Sequence, residues 1–281
     1  MKSRVLTSVA IIACTLSVVI FSEYIIYPVA LAVLAVAAIF EILRVMGAEK
    51  MLPLSIPAYI LGAVFPVLSY YVNSGLVLKF LLIFAAVIYL YLMWSMGVSI
   101  FSKGKISFSK IAEVFTSVVY VAVSFTSLSL IRYTRDRVGV FSVALVFVIC
   151  WICDVFAFAV GSLMGKHKLI PEVSPKKTVE GAIGGVVFSA IFCLIYGGVI
   201  DLFFDHVTVN YLCLFIFGAV LSVVSQLGDL VASLIKREYG IKDYGKIFPG
   251  HGGIMDRFDS VLAVSTILMM LSLVFPPFLS R

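Results

Sequence analysis

The richest cluster of chemically useful residues runs from Ser233 to Asp259 and reads SLIKREYGIKDYGKIFPGHGGIMDRFD. Two cations, Lys236 and Arg237, end an apolar stretch, and Lys242 follows them. A glycine-rich turn over residues 250–253 then leads into a predicted helix. Because glycine turns and helix N-termini expose backbone N–H groups that bind anions, this order of parts predicts a phosphate site.

Two carboxylates follow the glycine-rich turn. Asp256 and Asp259 are three residues apart, so they share one face in the first turns of the predicted helix. Carboxylate oxygens suit Mg²⁺, which usually keeps water or substrate phosphate among its ligands. A cytoplasmic loop with Asp–Arg pairs at its edge would explain the lysines, but not GHGG followed by DRxD. The stretch therefore predicts a magnesium–phosphate site.

A polar stripe precedes this stretch on an otherwise apolar segment. Its members recur at spacings of three and four residues: Ser222, Ser225, Gln226, Asp229, Ser233 and Lys236. Residues at these spacings share a helix face, and a face this polar cannot contact lipid. The stripe predicts a polar cavity, although hydroxyls in a helix–helix contact are the alternative.

Other ionisable groups also interrupt apolar stretches, where they are costly. Asp154 lies deep in such a stretch and is a candidate for the cavity. Glu41 and Glu113 lie close to predicted helix ends, where a carboxylate can reach water or a neighbouring cation. These two are interpreted as structural.

A second hydrophilic loop covers residues 165–181. It contains Ser174-Pro175-Lys176-Lys177-Thr178, with two cations and two hydroxyls, directly before Glu180-Gly181. These residue types suit a phosphate group, but a basic loop that ends in a helix N-cap would read similarly.

The elements that must position these residues are membrane helices. The 281 residues are 62% hydrophobic and only 13% charged, and the mean hydropathy is +1.16. Soluble domains are close to half apolar and a quarter charged. This composition excludes a soluble globular enzyme, a disordered chain, a collagen and a disulfide-stapled secreted domain.

Apolar runs of about 20 residues predict an all-α polytopic membrane protein with nine spans. The spans are Val5 to Phe21, Ile25 to Leu43, Leu54 to Val72, Leu76 to Phe101, Ile111 to Ile131, Val138 to Met164, Ala182 to Ile200, Val209 to Ile235 and Ile254 to Leu279. Residues 1–135 would hold five spans. Residues 136–281 would form a catalytic region of four spans with loops 165–181 and 236–253.

The distribution of Lys and Arg predicts the orientation. Sixteen of the 21 fall on the side that carries the N-terminus and both long loops, and the connection from Arg132 to Arg137 is the main exception. Because positive loops stay inside, the N-terminus, both loops and the mouth of the cavity are expected to face the cytoplasm. Topology thus accounts for the net charge of +6, and no nucleic-acid partner is predicted.

These motifs resemble those of the CDP-diacylglycerol synthases, or phosphatidate cytidylyltransferases. The stretch 233–259 is similar to the family signature without gaps. Further similarity lies in QLGD at 226–229, SPKKTVEG at 174–181, and Asp154 with Gly161. Phe158 stands where the family usually has Tyr, and Ser162 where it has Lys or Arg. The resemblance covers about the last 130 residues.

The resemblance implies the reaction of CTP with phosphatidate to give CDP-diacylglycerol and pyrophosphate. It further implies a multi-pass protein of the inner (plasma) membrane with its active site facing the cytoplasm. Dependence on Mg²⁺ is implied, with K⁺ as a second cation, and so is a homodimer. The carboxylates that match Asp229 and Asp256 would hold the metals.

A hypothesis for the site combines the residue chemistry with this resemblance. Metals would bind to Asp229, Asp256 and Asp259. The triphosphate would be held by Lys236, Arg237, Lys242, His251 and Arg257, with backbone donors from Gly252 and Gly253. Lys176 and Lys177 would hold phosphatidate or close over the nucleotide. Ser174, Ser233 and Asp154 complete the predicted substrate-binding set.

Two other functions fit a polar membrane cavity. A cation- or proton-coupled transporter predicts functional residues spread over two related halves, whereas here they fall in the last 130 residues. Another membrane nucleotidyl- or phosphotransferase acting on a CDP-activated or polyprenyl substrate is the second alternative. The D-G-x-x-A-R type motif of the CDP-alcohol phosphotransferases is absent from the sequence.

Overall fold

The structure, a computed structural model, describes residues 21–134, 138–248 and 252–281. Eight helices in these ranges are long and apolar enough to cross a membrane. They are α1 (Ile26–Val45), α2 (Leu52–Leu68, followed by a 3-10 turn at Ser69–Tyr71), α3 (Val77–Phe101), α4 (Phe108–Tyr133), α5 (Gly139–Met164), α6 (Val179–Phe203), α7 (Tyr211–Glu238) and α8 (Met255–Val274).

Each of the eight helices corresponds to one predicted span, within a few residues. The remaining predicted span, Val5 to Phe21, lies outside the described residues except for its last residue. Side-chain caps define several starts. The Ser107 Oγ accepts the Lys110 N–H at the start of α4, and the Asn210 Oδ1 accepts the Cys213 N–H at the start of α7. Such caps satisfy N–H groups that have no partner inside the helix.

Four short strands in the described parts of the chain depart from the purely helical expectation. They are β1 (Lys168–Ile170), β2 (Ser174–Thr178), β3 (Val207–Val209) and β4 (Phe278–Ser280), and they form two antiparallel pairs, β1–β2 and β3–β4. The last span was predicted to reach Leu279, but α8 ends at Val274. Two consecutive prolines, Pro276 and Pro277, explain the difference, since proline cannot continue a helix.

The chain divides into two compact units. The first comprises Met1–Thr134 and Asp243–Arg257. Within it, α1 and α2 approach closely where Gly62 faces Ala35 and Ile39, and the Tyr27 hydroxyl on α1 donates to the Leu128 carbonyl on α4 at 3.0 Å. Although the sequence assigned the segment 243–257 to the C-terminal region, it belongs to this first unit.

The second unit comprises Arg135–Lys242 and Phe258–Arg281. Its closest helix pair is α5 and α6, because glycines at their contact leave the backbones room to approach. A similar approach joins α7 to α8, where a Cβ at Gly228 would lie 2.7 Å from the Asp259 carbonyl oxygen. This contact brings the neighbouring Asp229 to the side of α8.

Candidate functional site

An ion pair joins the hairpin formed by β1 and β2 to α7 in the second unit. Lys177 on β2 places its Nζ 2.5 Å from the Asp229 Oδ2 on α7, and their side chains are 27% and 30% exposed. The Ser233 hydroxyl, one turn further along α7, donates to the Asp229 Oδ1 at 3.5 Å. The predicted basic loop and the predicted polar stripe thus come together at the partly exposed carboxylate of Asp229.

Asp259 adds a further acidic group beside this ion pair. Its carboxylate interacts electrostatically with those of Asp229 and Asp154, and with the Lys236 cation. The Asp259 Oδ1 also accepts the N–H of Ser260 at 2.7 Å. Three carboxylates and two lysines of the second unit therefore share one electrostatic environment, named here the Asp229 cluster (Asp154, Lys177, Asp229, Lys236 and Asp259).

The oxygen-rich character of the Asp229 cluster fits a hard cation. No group of three His, Cys, Asp or Glu side chains in the described ranges is arranged to hold a metal ion by itself. Mg²⁺ does not require such a cage, since one or two carboxylates together with substrate phosphates normally hold it. Asp229 and Asp259 fit that kind of site.

A cavity of about 250 Å³ lies beside the cluster. Its polar lining includes Asp154, Lys176, Lys177 and Gln226. Phe158 and Ser162, the two positions that depart from the family pattern, also line this cavity. The cavity lining thus lacks a phenol and a cation at those positions, and its cations, Lys176 and Lys177, lie on β2.

An apolar cavity of about 390 Å³ adjoins the polar one along α6 and α7. The two cavities have three lining residues in common: Leu169, Ala182 and Gln226. Several of the apolar residues in the second lining are about half exposed on the outer surface of the helices, among them Ile183, Val187 and Leu227. A polar pocket that continues into an apolar, outward-facing groove suits an amphipathic ligand.

Polar contacts with α6 and α7 hold the β1–β2 hairpin in place. Glu180 on α6 accepts the backbone N–H groups of Lys166 and His167, and its Oε1 lies 2.7 Å from the His167 Nδ1. At the end of α7, the Arg237 Nε donates to the Val173 carbonyl at 3.4 Å. Arg237 therefore lies next to the hairpin strand that carries Ser174, Lys176 and Lys177.

Gly252 and Gly253, the described residues of the glycine-rich turn, belong to the first unit, and Asp256 lies beside them. Asp256 is 8% exposed, and its Oδ2 accepts the N–H groups of Tyr244 at 2.7 Å and Gly253 at 2.9 Å. Gly252 has a φ of +85°, a conformation that favours glycine. The Gly253 N–H, expected to donate to a phosphate, donates to Asp256 instead.

The remaining predicted residues have simpler positions. Lys242 is exposed after the end of α7, and Arg257 is exposed in the first turn of α8. His251 lies outside the described residues.

The structure also reveals contacts that the sequence analysis missed, on α1. Glu41 was interpreted as structural, with a carboxylate that reaches water or a neighbouring cation near a helix end. The carboxylate does not reach water, but it interacts with the Arg44 cation. Glu41 is 1% exposed, and its Oε2 accepts the Met255 N–H at 3.0 Å. Arg44, one turn later, donates from Nη2 to the Tyr244 carbonyl at 2.9 Å. A glutamate in an apolar helix was the available signal, but nothing in its spacing pointed to partners near residue 250.

Known proteins are similar to this chain over most of its length. The sequence profile of the Cytidylyltransferase family matches residues 2–275. Relatives named phosphatidate cytidylyltransferase include those of Staphylococcus haemolyticus (strain JCSC1435), 41% identical over 173 residues, Staphylococcus saprophyticus, 42% identical, and Staphylococcus aureus (strain COL), 40% identical. Each match covers 62% of this chain and 63% of the relative's length.

Proposed function

Because the chain belongs to the cytidylyltransferase family, we propose that it is a membrane phosphatidate cytidylyltransferase, which transfers CMP from CTP to phosphatidate and releases pyrophosphate. The names of the relatives support this reaction. The observation that carries the proposal is the polar cavity beside the Asp229 cluster, which continues into an apolar groove. Such a shape suits a lipid phosphate better than a soluble substrate.

In this proposal, the polar cavity binds the phosphate of phosphatidate and the apolar groove binds its acyl chains. Lys176 and Lys177 neutralise its phosphate in the polar cavity, with Ser174 on the same strand as a further donor. The acyl chains follow the groove along α6 and α7 towards the bilayer. Asp154 lines the same cavity and is opposite in charge to these lysines, so it would attract their ammonium groups.

The reaction needs charge neutralisation and alignment more than a strong base. A phosphate oxygen of phosphatidate, already anionic, attacks the α-phosphorus of CTP. The bond from that phosphorus to the bridging oxygen breaks, and the electron pair leaves with pyrophosphate. Lys236, Arg237, Lys242, His251 and Arg257 are proposed to bind the triphosphate, and Ser233 keeps the Asp229 carboxylate oriented.

Mg²⁺ is the proposed cofactor. Bound to Asp229 and Asp259, it would neutralise and align the phosphate oxygens. A metal role for Asp256 would have to use its Oδ1, since its Oδ2 accepts two backbone N–H groups. K⁺ as a second cation and a homodimer are also part of the proposal, as is a cytoplasmic active site at the plasma membrane.

A transfer assay tests the proposal directly. Purified protein in detergent is incubated with phosphatidate, labelled CTP, Mg²⁺ and K⁺, and label is counted in the lipid phase. We expect labelled CDP-diacylglycerol that disappears with EDTA and returns with added Mg²⁺. Protein that is folded by circular dichroism but makes no labelled lipid under these conditions would contradict the proposal.

A further inference from the structure

A buried carboxylate from the first half of the chain holds the glycine-rich turn. Glu41 lies on α1, and both it and the segment 243–257 belong to the first unit. Its Oε2 accepts the N–H of Met255, the first residue of α8. Glu41 thus serves as the side-chain acceptor that a helix N-terminus requires, although it comes from a different helix.

The backbone near the turn leaves room for the Glu41 carboxylate only where the neighbouring residues are glycines. A Cβ at Gly245 or at Gly253 would overlap the Glu41 Oε1, so only glycine leaves room for it at either position. The Oε1 itself is buried and has no hydrogen-bond partner among the described residues. Burying a carboxylate oxygen in this way is costly. A general packing role does not explain why a carboxylate occupies the site.

Arg44, three residues after Glu41 on α1, contacts the segment that precedes the glycine-rich turn. Its guanidinium donates to the Tyr244 carbonyl, while the Tyr244 N–H donates to Asp256. Asp256 in turn accepts the Gly253 N–H. Two side chains of α1 therefore contact the backbone at Tyr244 and at Met255, the residue before Asp256.

We infer that Glu41 is a positioning residue for the proposed cytidylyl transfer. It contacts the backbone at Met255 and orients the next two residues, Asp256 and Arg257. The proposed function assigns Arg257 to the triphosphate and considers a metal role for Asp256 through its Oδ1. This inference rests on the proposed function, and it assigns a task in that function to the first half of the chain. Glu41 acts through its shape and its acceptor oxygen, so glutamine should replace it and alanine should not.

The test compares Glu41→Ala and Glu41→Gln with Glu113→Ala, a matched control on α4 whose carboxylate is 39% exposed and pairs with Lys110. We expect Glu41→Ala to lower kcat by about tenfold or more, since small displacements of reacting groups are expensive. The Mg²⁺ concentration for half-maximal rate should rise, and KM for phosphatidate should stay within about twofold, because the lipid is held elsewhere. Glu41→Gln should stay close to the wild type.

A second measurement does not depend on activity. Amide hydrogen exchange at Met255 should be about tenfold faster in Glu41→Ala than in Glu41→Gln, because local opening is no longer opposed by the Glu41 contact. Wild-type exchange at Met255 in Glu41→Ala would overturn the inference. So would a folded Glu41→Gln that is as inactive as Glu41→Ala, because charge rather than shape would then be required.

Two outcomes need separate treatment. If Glu41→Ala does not fold, Glu41→Asp replaces it: the side chain is one methylene shorter, and an Asp variant equal to Gln would overturn the inference. If the wild type makes no labelled lipid, the proposed function fails. Hydrogen exchange then still decides whether Glu41 holds the turn.

Discussion

Asp229 and Asp256 are aspartates of one predicted metal site, yet their surroundings differ. Asp229 is partly exposed and pairs with the flexible ammonium group of Lys177. Asp256 is buried and accepts two backbone N–H groups through a single oxygen. The first carboxylate has a partner that can move, whereas the two N–H groups that the second accepts belong to the backbone.

This difference separates two tasks that a sequence motif does not distinguish. A partly exposed ion pair contributes only about 0.2–1 kcal/mol, so a metal can replace Lys177 beside Asp229, and a phosphate can replace Asp229 beside Lys177, at little cost. A buried acceptor left without its partner groups costs about 1–3 kcal/mol, so Asp256 is held in one position. We therefore expect Asp229 to serve chemistry alone, and Asp256 to serve both chemistry and the structure of the turn.

The largest effect is expected for Asp229→Asn. Loss of this charge should lower kcat by about 10²–10³-fold, the usual cost of removing one preorganised electrostatic contact. The melting temperature should change little because the carboxylate is partly exposed. Lipid-phase label and thermal unfolding measure the two quantities.

A matched control for this change is Asp201→Asn on α6, whose carboxylate is 40% exposed and pairs with Arg281. It should keep wild-type turnover. Equal losses in the two variants would show that the ion pair of Asp229 has no special role.

An intermediate effect is expected for Asp256→Asn. The asparagine oxygen still accepts the N–H groups of Tyr244 and Gly253, so the turn should persist. If Asp256 also ligates the metal, kcat should fall by about 10- to 100-fold. Asp256→Ala should in addition destabilise the protein by about 1–3 kcal/mol, because two buried N–H groups lose their acceptor. Turnover and chemical denaturation separate these effects.

The metal assignment of Asp256 depends on the asparagine variant. Wild-type turnover of Asp256→Asn at saturating Mg²⁺ would remove that assignment and leave Asp256 with the turn alone. Asp229 would then serve only the chemistry, and Asp256 only the structure of the turn.

Much of the fold could be predicted because a membrane helix is a local pattern. A run of apolar residues is sufficient to locate it, and α1 to α8 each arise from such a run. The strand pair β3–β4 could not be found in this way, since it joins Val207–Val209 to Phe278–Ser280 at the far end of the chain. Counting apolar residues also extended the last span across Pro276 and Pro277.

In the candidate site, too, local patterns could be predicted and contacts between distant residues could not. The types and spacing of Lys177 and Asp229 marked each as chemically useful, but their pairing depends on how β2 meets α7. The backbone contact of Glu41 could not be predicted because its partner Met255 is 214 residues away along the chain. Spacing along one helix predicts which residues share a face, and it contains no information about the backbone that a buried carboxylate will meet.

The smallest effect is expected for Lys177→Met, which removes the movable partner of Asp229 and keeps the length of the side chain. If Lys177 neutralises the lipid phosphate, KM for phosphatidate should rise by about tenfold, the equivalent of about 1.4 kcal/mol. The loss in kcat should be smaller, because Lys176 lines the same cavity. Lys168→Met on β1 is the matched control, since Lys168 belongs to the same hairpin but not to the cavity lining. A higher KM for CTP, with KM for phosphatidate unchanged, would assign Lys177 to the nucleotide. The Lys177–Asp229 pair would then bind CTP, and another cation would have to neutralise the lipid phosphate.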